Sequence, residues 1–133
     1  MRYLGVYILN TRAFSCCFDY AKRGYYRSLN AIFGKVGRIA SEEVVLQLIT
    51  SKCLPILLYG NEACRITLHD KRSLDFAVNR FLMKLFKTGQ LHIVHECSQF
   101  FKFDLPSTLI NRRTERFLRK YNASNNSICK LYA

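Results

Sequence analysis

Hydrophobic positions along the chain begin with a period of two and then shift to a helical one. Arg2 to Leu9 alternates Tyr3, Gly5 and Tyr7 against Leu4, Val6 and Ile8, which predicts a strand with apolar residues on both faces. Asn10-Thr11 offers a turn, and Ala13 to Phe18 is expected to pair back as a second strand. From Phe18 onward, Phe18, Ala21, Tyr25, Leu29 and Ile32 fall on one stripe of a helix. Arg23, Arg27 and Asn30 fall on another, with Lys22 and Tyr26 alongside. Gly34 and Gly37 bracket Lys35 and Val36 and are expected to end this helix. Ser41 is placed to cap the next one, and Glu42-Glu43 put negative charge where the helix dipole favours it. Val44 to Tyr59 is apolar nearly all round, which predicts the core helix of the fold. Pro55 should kink or break it, and Gly60 offers a stop.

Asp70 is placed to cap a third helix, Lys71 to Lys87, whose apolar members include Leu74, Ala77, Val78, Phe81, Leu82 and Leu85. Thr88-Gly89 is expected to end it. A short fourth helix is expected over Ile93 to Phe101. Pro106 suits the first helical position before a last helix, Ser107 to Tyr121. That helix puts Ile110, Phe117, Leu118 and Tyr121 near one side and Arg112, Arg116 and Arg119 on another, with Arg113 and Lys120 nearby. Asn122 to Ala133 has no period and is expected to fray. The fold class expected is mainly α, about five helices in a small bundle with an N-terminal β-hairpin.

Charge changes the picture. Lys and Arg number 21 against 9 Asp and Glu, for a formal net charge of +12 over 133 residues. The excess sits at the two ends. Residues 1–40 carry seven basic side chains and one acid, residues 41–100 seven and six, and residues 101–133 seven and two. A near-neutral middle between two basic ends suits a polyanion contacted from both ends of the chain. Half the residues are hydrophobic, which argues against a fully disordered chain. No uninterrupted apolar run approaches the ~20 residues of a membrane span, and no basic leader with an apolar core opens the chain. An intracellular protein, cytoplasmic or nuclear and neither secreted nor membrane-bound, is therefore expected. The two sequons at Asn122 and Asn125 are then expected to be unused. Cys16, Cys17, Cys53, Cys64, Cys97 and Cys129 are expected to be reduced, mostly buried thiols.

Candidate chemistry is thin. Asp19, Asp70, Asp75 and Asp104 are scattered, whereas two-metal transferases need several acids converging on cations about 4 Å apart. Asp19 and Asp70 read better as helix-start residues. His92, His95 and Cys97 match no standard zinc spacing. Gly34-Lys35-Val36-Gly37-Arg38 is neither a Walker motif nor a dinucleotide fingerprint, though it can set Lys35 and Arg38 against a phosphate backbone. The arginine stripes remain. Arg and Lys at helical spacing follow phosphates without reading bases, and Tyr7, Tyr25 and Tyr26 lie near the first stripe.

The residues resemble those of a known family. Tyr3-Leu4-Gly5-Val6 is similar to the block that follows the catalytic palm in non-LTR (LINE-type, jockey-like) retrotransposon reverse transcriptases. Ala21-Lys22 with Tyr26 to Gly37, and Lys52 to Gly60, resemble the segments that come next. Ser73 to Val78 with Arg80 to Thr88 resembles the thumb helix. Leu105-Pro106-Ser107, Arg112-Arg113 and Arg116-Phe117-Leu118 resemble its C-terminal extension. Departures are Asn61, where the family tends to have an apolar residue, and Gly89-Gln90. The resemblance implies a primer-grip-like hairpin over 1–17, a thumb-like region over 18–88 and a helical extension over 89–121, with 122–133 as tail. The palm aspartates of an RNA-directed DNA polymerase would lie ahead of Met1. The resemblance thus implies a non-catalytic remnant, needing no cofactor or metal, that grips a nucleic-acid duplex through its phosphates.

The expected contacts are Lys22, Arg23, Arg27, Lys35 and Arg38, then Arg112, Arg113 and Arg116. Tyr3, Leu4 and Gly5 are carried over as primer-grip residues. The main rival is a helical protein-interaction module, bound through exposed apolar surface and kept soluble by its basic faces. A membrane-surface amphipathic protein is less expected, because the most apolar helix is not sided.

Overall fold

In the computed structural model, which describes residues 1–132, the first apolar stretch folds back on itself. Leu4 and Gly5 both have positive φ, 45° and 85°, as a two-residue type I′ hairpin turn requires. The single strand expected over Arg2–Leu9 is therefore two, β1 (Arg2–Tyr3) and β2 (Val6–Ile8). Arg2 pairs with Tyr7 and Tyr3 with Val6. A third strand, β3 (Cys16–Cys17), joins β2 antiparallel, with Tyr7 opposite Cys17 and Ile8 opposite Cys16. Asn10-Thr11 thus belongs to a longer loop, closed where the Leu9 N–H donates to the Ser15 carbonyl at 2.9 Å.

The rest is mainly α, as expected. Helix α1 spans Asp19–Val36 and buries Tyr25 and Leu29, the predicted stripe. It continues through Gly34 and ends at Gly37, so Lys35 sits in the last turn, where a cation complements the dipole. Helix α2 (Glu42–Leu48) is capped by the Ser41 hydroxyl, which accepts from the Val44 N–H. A π-helical turn, Ile49–Cys53, leads directly into α3 (Leu54–Leu58). Pro55 is the cause. It has no N–H to offer the Ser51 carbonyl, and its ring crowds that carbonyl. The chain takes up an extra residue, so the Leu54 N–H reaches back five positions to the Ile49 carbonyl, and the helix continues with a bulge. Gly60, with φ of 71°, supplies the left-handed residue that ends α3.

This segment is not apolar all round. Val45, Leu46, Ile49, Cys53, Leu54, Leu57 and Leu58 are buried, while Gln47, Thr50, Ser51 and Lys52 face solvent. The sequence expectation counted hydrophobic residues without seeing that they take one side. By length and composition alone, the Glu42–Ala63 stretch is long and apolar enough to cross a membrane. The segment packs against α1, and its α3 part also against the helix over Pro106–Asn122; each of its fully buried leucines contributes about 1.5–3 kcal/mol.

Helix α4 spans Leu68–Leu85, starting earlier than expected. Thr67 is its cap, not Asp70. The Thr67 hydroxyl accepts from the Asp70 N–H, and the Asp70 carboxylate accepts from the Thr67 N–H, a reciprocal capping box. Helices α5 (Leu91–Phe100) and α6 (Pro106–Asn122) follow. Pro106 is the first helical residue, as expected, and the α6 N-terminus is capped from another helix. The Ser107 N–H donates to Asp75 Oδ1 in α4 at 2.8 Å. The expected frayed tail holds one more turn, α7 (Ser127–Leu131), because the Asn126 side chain accepts from the Ile128 N–H. Ala133 lies outside the described residues.

The core runs between α1, the α2–α3 segment and α4, and extends to Val94 of α5 and Ile110 of α6. Asn61 is 2% exposed, and its side-chain amide donates to the Leu57 carbonyl at 3.1 Å. Asn61 thus satisfies a carbonyl at the end of α3. The Tyr25 hydroxyl is buried without a partner, and burial pushes its ionisation well above the ordinary value. Burial also raises the Cys53 thiol. Of the six free cysteines, Cys16 and Cys53 are buried and the others half-buried.

Candidate nucleic-acid interface

The outer face of α1 carries Tyr20, Arg23 and Arg27 at positions i, i+3 and i+7, all exposed. Tyr20 stacks on Tyr7 of β2 with ring centroids 3.7 Å apart and planes 7° from parallel. The Arg23 guanidinium lies 5.6 Å from the Tyr20 centroid, and Arg2 lies 5.7 Å from that of Tyr7. Two rings and two cations therefore join the hairpin to α1 on one surface. Such a stack is worth about 0.5–1.5 kcal/mol beyond buried area, and each exposed cation–π contact about 0.5–1 kcal/mol. It also fixes flat rings beside positive charge, a combination suited to phosphates and sugars. Tyr20 and Arg2 were missed from sequence, although Tyr20 shares the helical period of Arg23 and Arg27. Tyr25 is sealed in the core instead, and Tyr26 packs edge-on against it.

The hairpin tip holds Tyr3, Leu4 and Gly5, and Tyr3 and Leu4 are 61% and 74% exposed. It is tethered from below, because the Tyr59 hydroxyl donates to the Leu4 carbonyl. Gly5 also leaves room for the Tyr59 ring, where a Cβ would stand 3.1 Å from Cε1.

Beyond the last turn of α1, Arg38 faces Lys84 of α4 across a cleft of about 310 Å³, lined also by Asn30, Phe33 and Gly34. Lys84 Nζ sits 4.6 Å from the Phe33 centroid, and Phe33 meets Phe81 edge-on. Lys84 is a cation the sequence reading assigned only to a mostly apolar helix. Tertiary packing alone sets it opposite Arg38.

The remaining candidates are held by the protein itself. Lys22 Nζ donates to the Ser73 hydroxyl at 2.7 Å and lies 3.9 Å from Asp19, so it joins α1 to α4. Arg112 pairs with Asp104 at 3.1 Å. Arg113 Nη1 donates to the Leu58 carbonyl at 3.5 Å, helping to cap α3. Among the described residues Arg23, Arg27, Lys35, Arg38 and Arg116 have no carboxylate within ion-pair distance. Their field is therefore uncompensated locally. Helices α1 and α6 both pack against α3, which holds the two basic segments to one scaffold element.

His92, His95 and Cys97 all lie on α5. Among the described residues no three His, Cys, Asp or Glu side chains gather where they can hold a metal ion. Compared with protein-family models, curated proteins and solved structures, the chain gives no match.

Proposed function

We propose that this chain is a non-catalytic, thumb-like binding module that grips a nucleic-acid duplex through its phosphates, in the manner the resemblance to non-LTR reverse transcriptases implies. The observation that carries this reading is the stacked Tyr7–Tyr20 pair flanked by Arg2 and Arg23, continuous along α1 with the unpaired Arg27. Lys35 carries the positive surface into the last turn of that helix, and Arg38 and Lys84 extend it beyond. Arg116 on α6 is a further contact, while Lys22, Arg112 and Arg113 act mainly within the protein. Contacts of this kind position a duplex without reading its bases.

Fluorescence anisotropy with an RNA–DNA hybrid and a DNA duplex of unrelated sequence tests the reading. Binding is expected to be similar for different sequences. Log affinity is expected to fall linearly with log salt, at a slope near −0.9 per phosphate contacted. An affinity that holds steady from low to physiological salt would overturn it. Primer extension with the purified chain and Mg²⁺ is expected to give no incorporation above a protein-free blank.

The rival reading, a protein-interaction module, is favoured by one feature. A groove of about 620 Å³ between the α2–α3 segment and the α5–α6 connection is lined by Leu46, Leu54, Phe100, Phe101, Phe103 and Leu109 among others. Apolar docking there would be insensitive to salt, so the same titration separates the two readings.

A further inference from the structure

The fold brings one pair of the six cysteines into contact. The Sγ atoms of Cys16 in β3 and Cys64, just past the short 3-10 turn Asn61–Ala63, are 2.8 Å apart. Cys16 is 6% exposed. Cys64 is half-buried and lines an open cleft of about 370 Å³, together with Arg65, Lys71, Asn111 and Glu115. Cys64 lines this cleft and the buried Cys16 does not, so a small reagent in the cleft meets Cys64 before Cys16. Cys17, adjacent in sequence, is turned toward Asp19, 3.6 Å from Oδ2. Neither cysteine belongs to the basic surface described above.

We propose that Cys16 and Cys64 are a site of reversible intramolecular disulfide formation, with a low-molecular-weight disulfide such as oxidised glutathione as the oxidant. The Cys64 thiolate attacks one sulfur of the reagent. The reagent's S–S bond breaks, a mixed disulfide forms on Cys64, and the departing thiolate takes up the proton that Cys64 lost. Cys16 then attacks the Cys64 sulfur and expels the second thiolate, which takes up the Cys16 proton. Two protein thiols lose two electrons, and one reagent disulfide becomes two thiols. The cross-link joins residues 48 apart in sequence and pins the edge strand β3 to the segment entering α4. Burial and the Cys16 contact push the Cys64 thiol up to about 12, so exchange is slow at neutral pH.

The test treats the full chain with oxidised glutathione, then counts thiols and maps the linkage by peptide mass spectrometry before and after reduction. Loss of two of the six thiols, a Cys16–Cys64 cross-linked peptide, and a Tm higher by on the order of 10 °C that dithiothreitol reverses are expected. The Cys17→Ser variant should form the same link. If the map instead joins Cys17 to another cysteine, links two chains, or stops at a glutathione adduct on Cys64, the proposal fails. Unchanged thiol content after prolonged exposure sinks it equally. The wild-type linkage map decides the matter even if a variant does not fold.

Discussion

The Tyr59 hydroxyl donates a 2.9 Å hydrogen bond to the Leu4 carbonyl, joining residues 55 apart in sequence. The bond ties the tip of the N-terminal hairpin to the end of α3. A two-stranded hairpin alone is marginal in water. This one is held by β3, by the tyrosine stack onto α1 and by this tether. Tyr59→Phe removes the donor and is expected to cost about 0.5–1.5 kcal/mol in urea unfolding. Gly5→Ala should cost more, since it strains a residue at φ of 85° and crowds the Tyr59 ring. Hydrogen exchange of the Val6–Ile8 amides reports both, and faster exchange there than in α4 is expected.

Binding and stability should separate cleanly among the basic residues. Arg27→Ala and Arg38→Ala are each expected to weaken duplex affinity and to lower the magnitude of the salt slope by about 1, with little change in Tm; Lys84→Ala should lower the slope likewise but also lowers Tm, because it removes the contact with Phe33. Lys22→Met should do the opposite of the two arginine changes. It removes the Nζ to Ser73 bond between α1 and α4 and is expected to cost about 1 kcal/mol of stability while leaving the slope alone. A matched salt titration and thermal melt on each variant distinguishes the two behaviours.

Tyr25 carries a hydroxyl that burial leaves without a partner. Removing an unsatisfied polar group recovers its desolvation cost, so Tyr25→Phe is expected to be neutral or to stabilise by about 1 kcal/mol. Tyr25→Ala, which empties the volume of a fully buried ring, should cost about 3–5 kcal/mol. Denaturant midpoints for the two variants give the comparison.

Stability should fall on the alkaline side. Burial raises the ionisation of Tyr25, Cys53 and Cys64 above their ordinary values of 10.0 for the tyrosine and 9.0 for the thiols. In each case the folded state holds the proton more tightly than the unfolded chain. The stabilisation is therefore complete below about pH 9 and is lost as pH rises toward the folded-state value, about 12 for Cys64. Tm is expected to fall steadily between about pH 9 and pH 11, and Tyr25→Phe should flatten that decline. A Tm that does not change over this range would contradict the burial of these groups.

Two lysines occupy positions better suited to glycine. Lys87 and Lys102 both have φ of 53°, each directly after the C-cap residue of its helix, Phe86 for α4 and Phe101 for α5. The Thr88 N–H returns to the Met83 carbonyl, and the Phe103 N–H to the Ser98 carbonyl, the six-to-one bond of a Schellman ending. Lys87→Gly and Lys102→Gly relieve the Cβ strain of the left-handed conformation. Each is expected to raise stability by up to about 1 kcal/mol, read from chemical denaturation.

The five long helical segments were legible in the residues because each buries an apolar stripe at helical spacing, with a cap or a breaker near its ends. The basic stripe on α1 was legible for the same reason. The expected strand Arg2–Leu9 divided because Leu4 occupies a left-handed position that no pattern of polarity marks. The core helix proved sided because Pro55 inserts a π turn that re-registers Val45, Ile49, Cys53 and Leu57 onto one face. Asp70 became the third helical residue of a capping box because Thr67, three residues earlier, suits the cap equally well.

Pattern and charge along the chain determined that it folds as a mainly helical bundle with a β-hairpin at its start and a surplus of cations at both ends. These follow from local periodicity and composition, which need no knowledge of neighbours distant in sequence. Only the tertiary structure decided which cations remain free and which are spent on Ser73, Asp104 and Leu58. It alone set Tyr7 on Tyr20, Arg38 opposite Lys84, and Cys16 against Cys64. Such pairings depend on how helices and strands cross in space, and a contact between residues of different elements leaves no periodic trace in the chain.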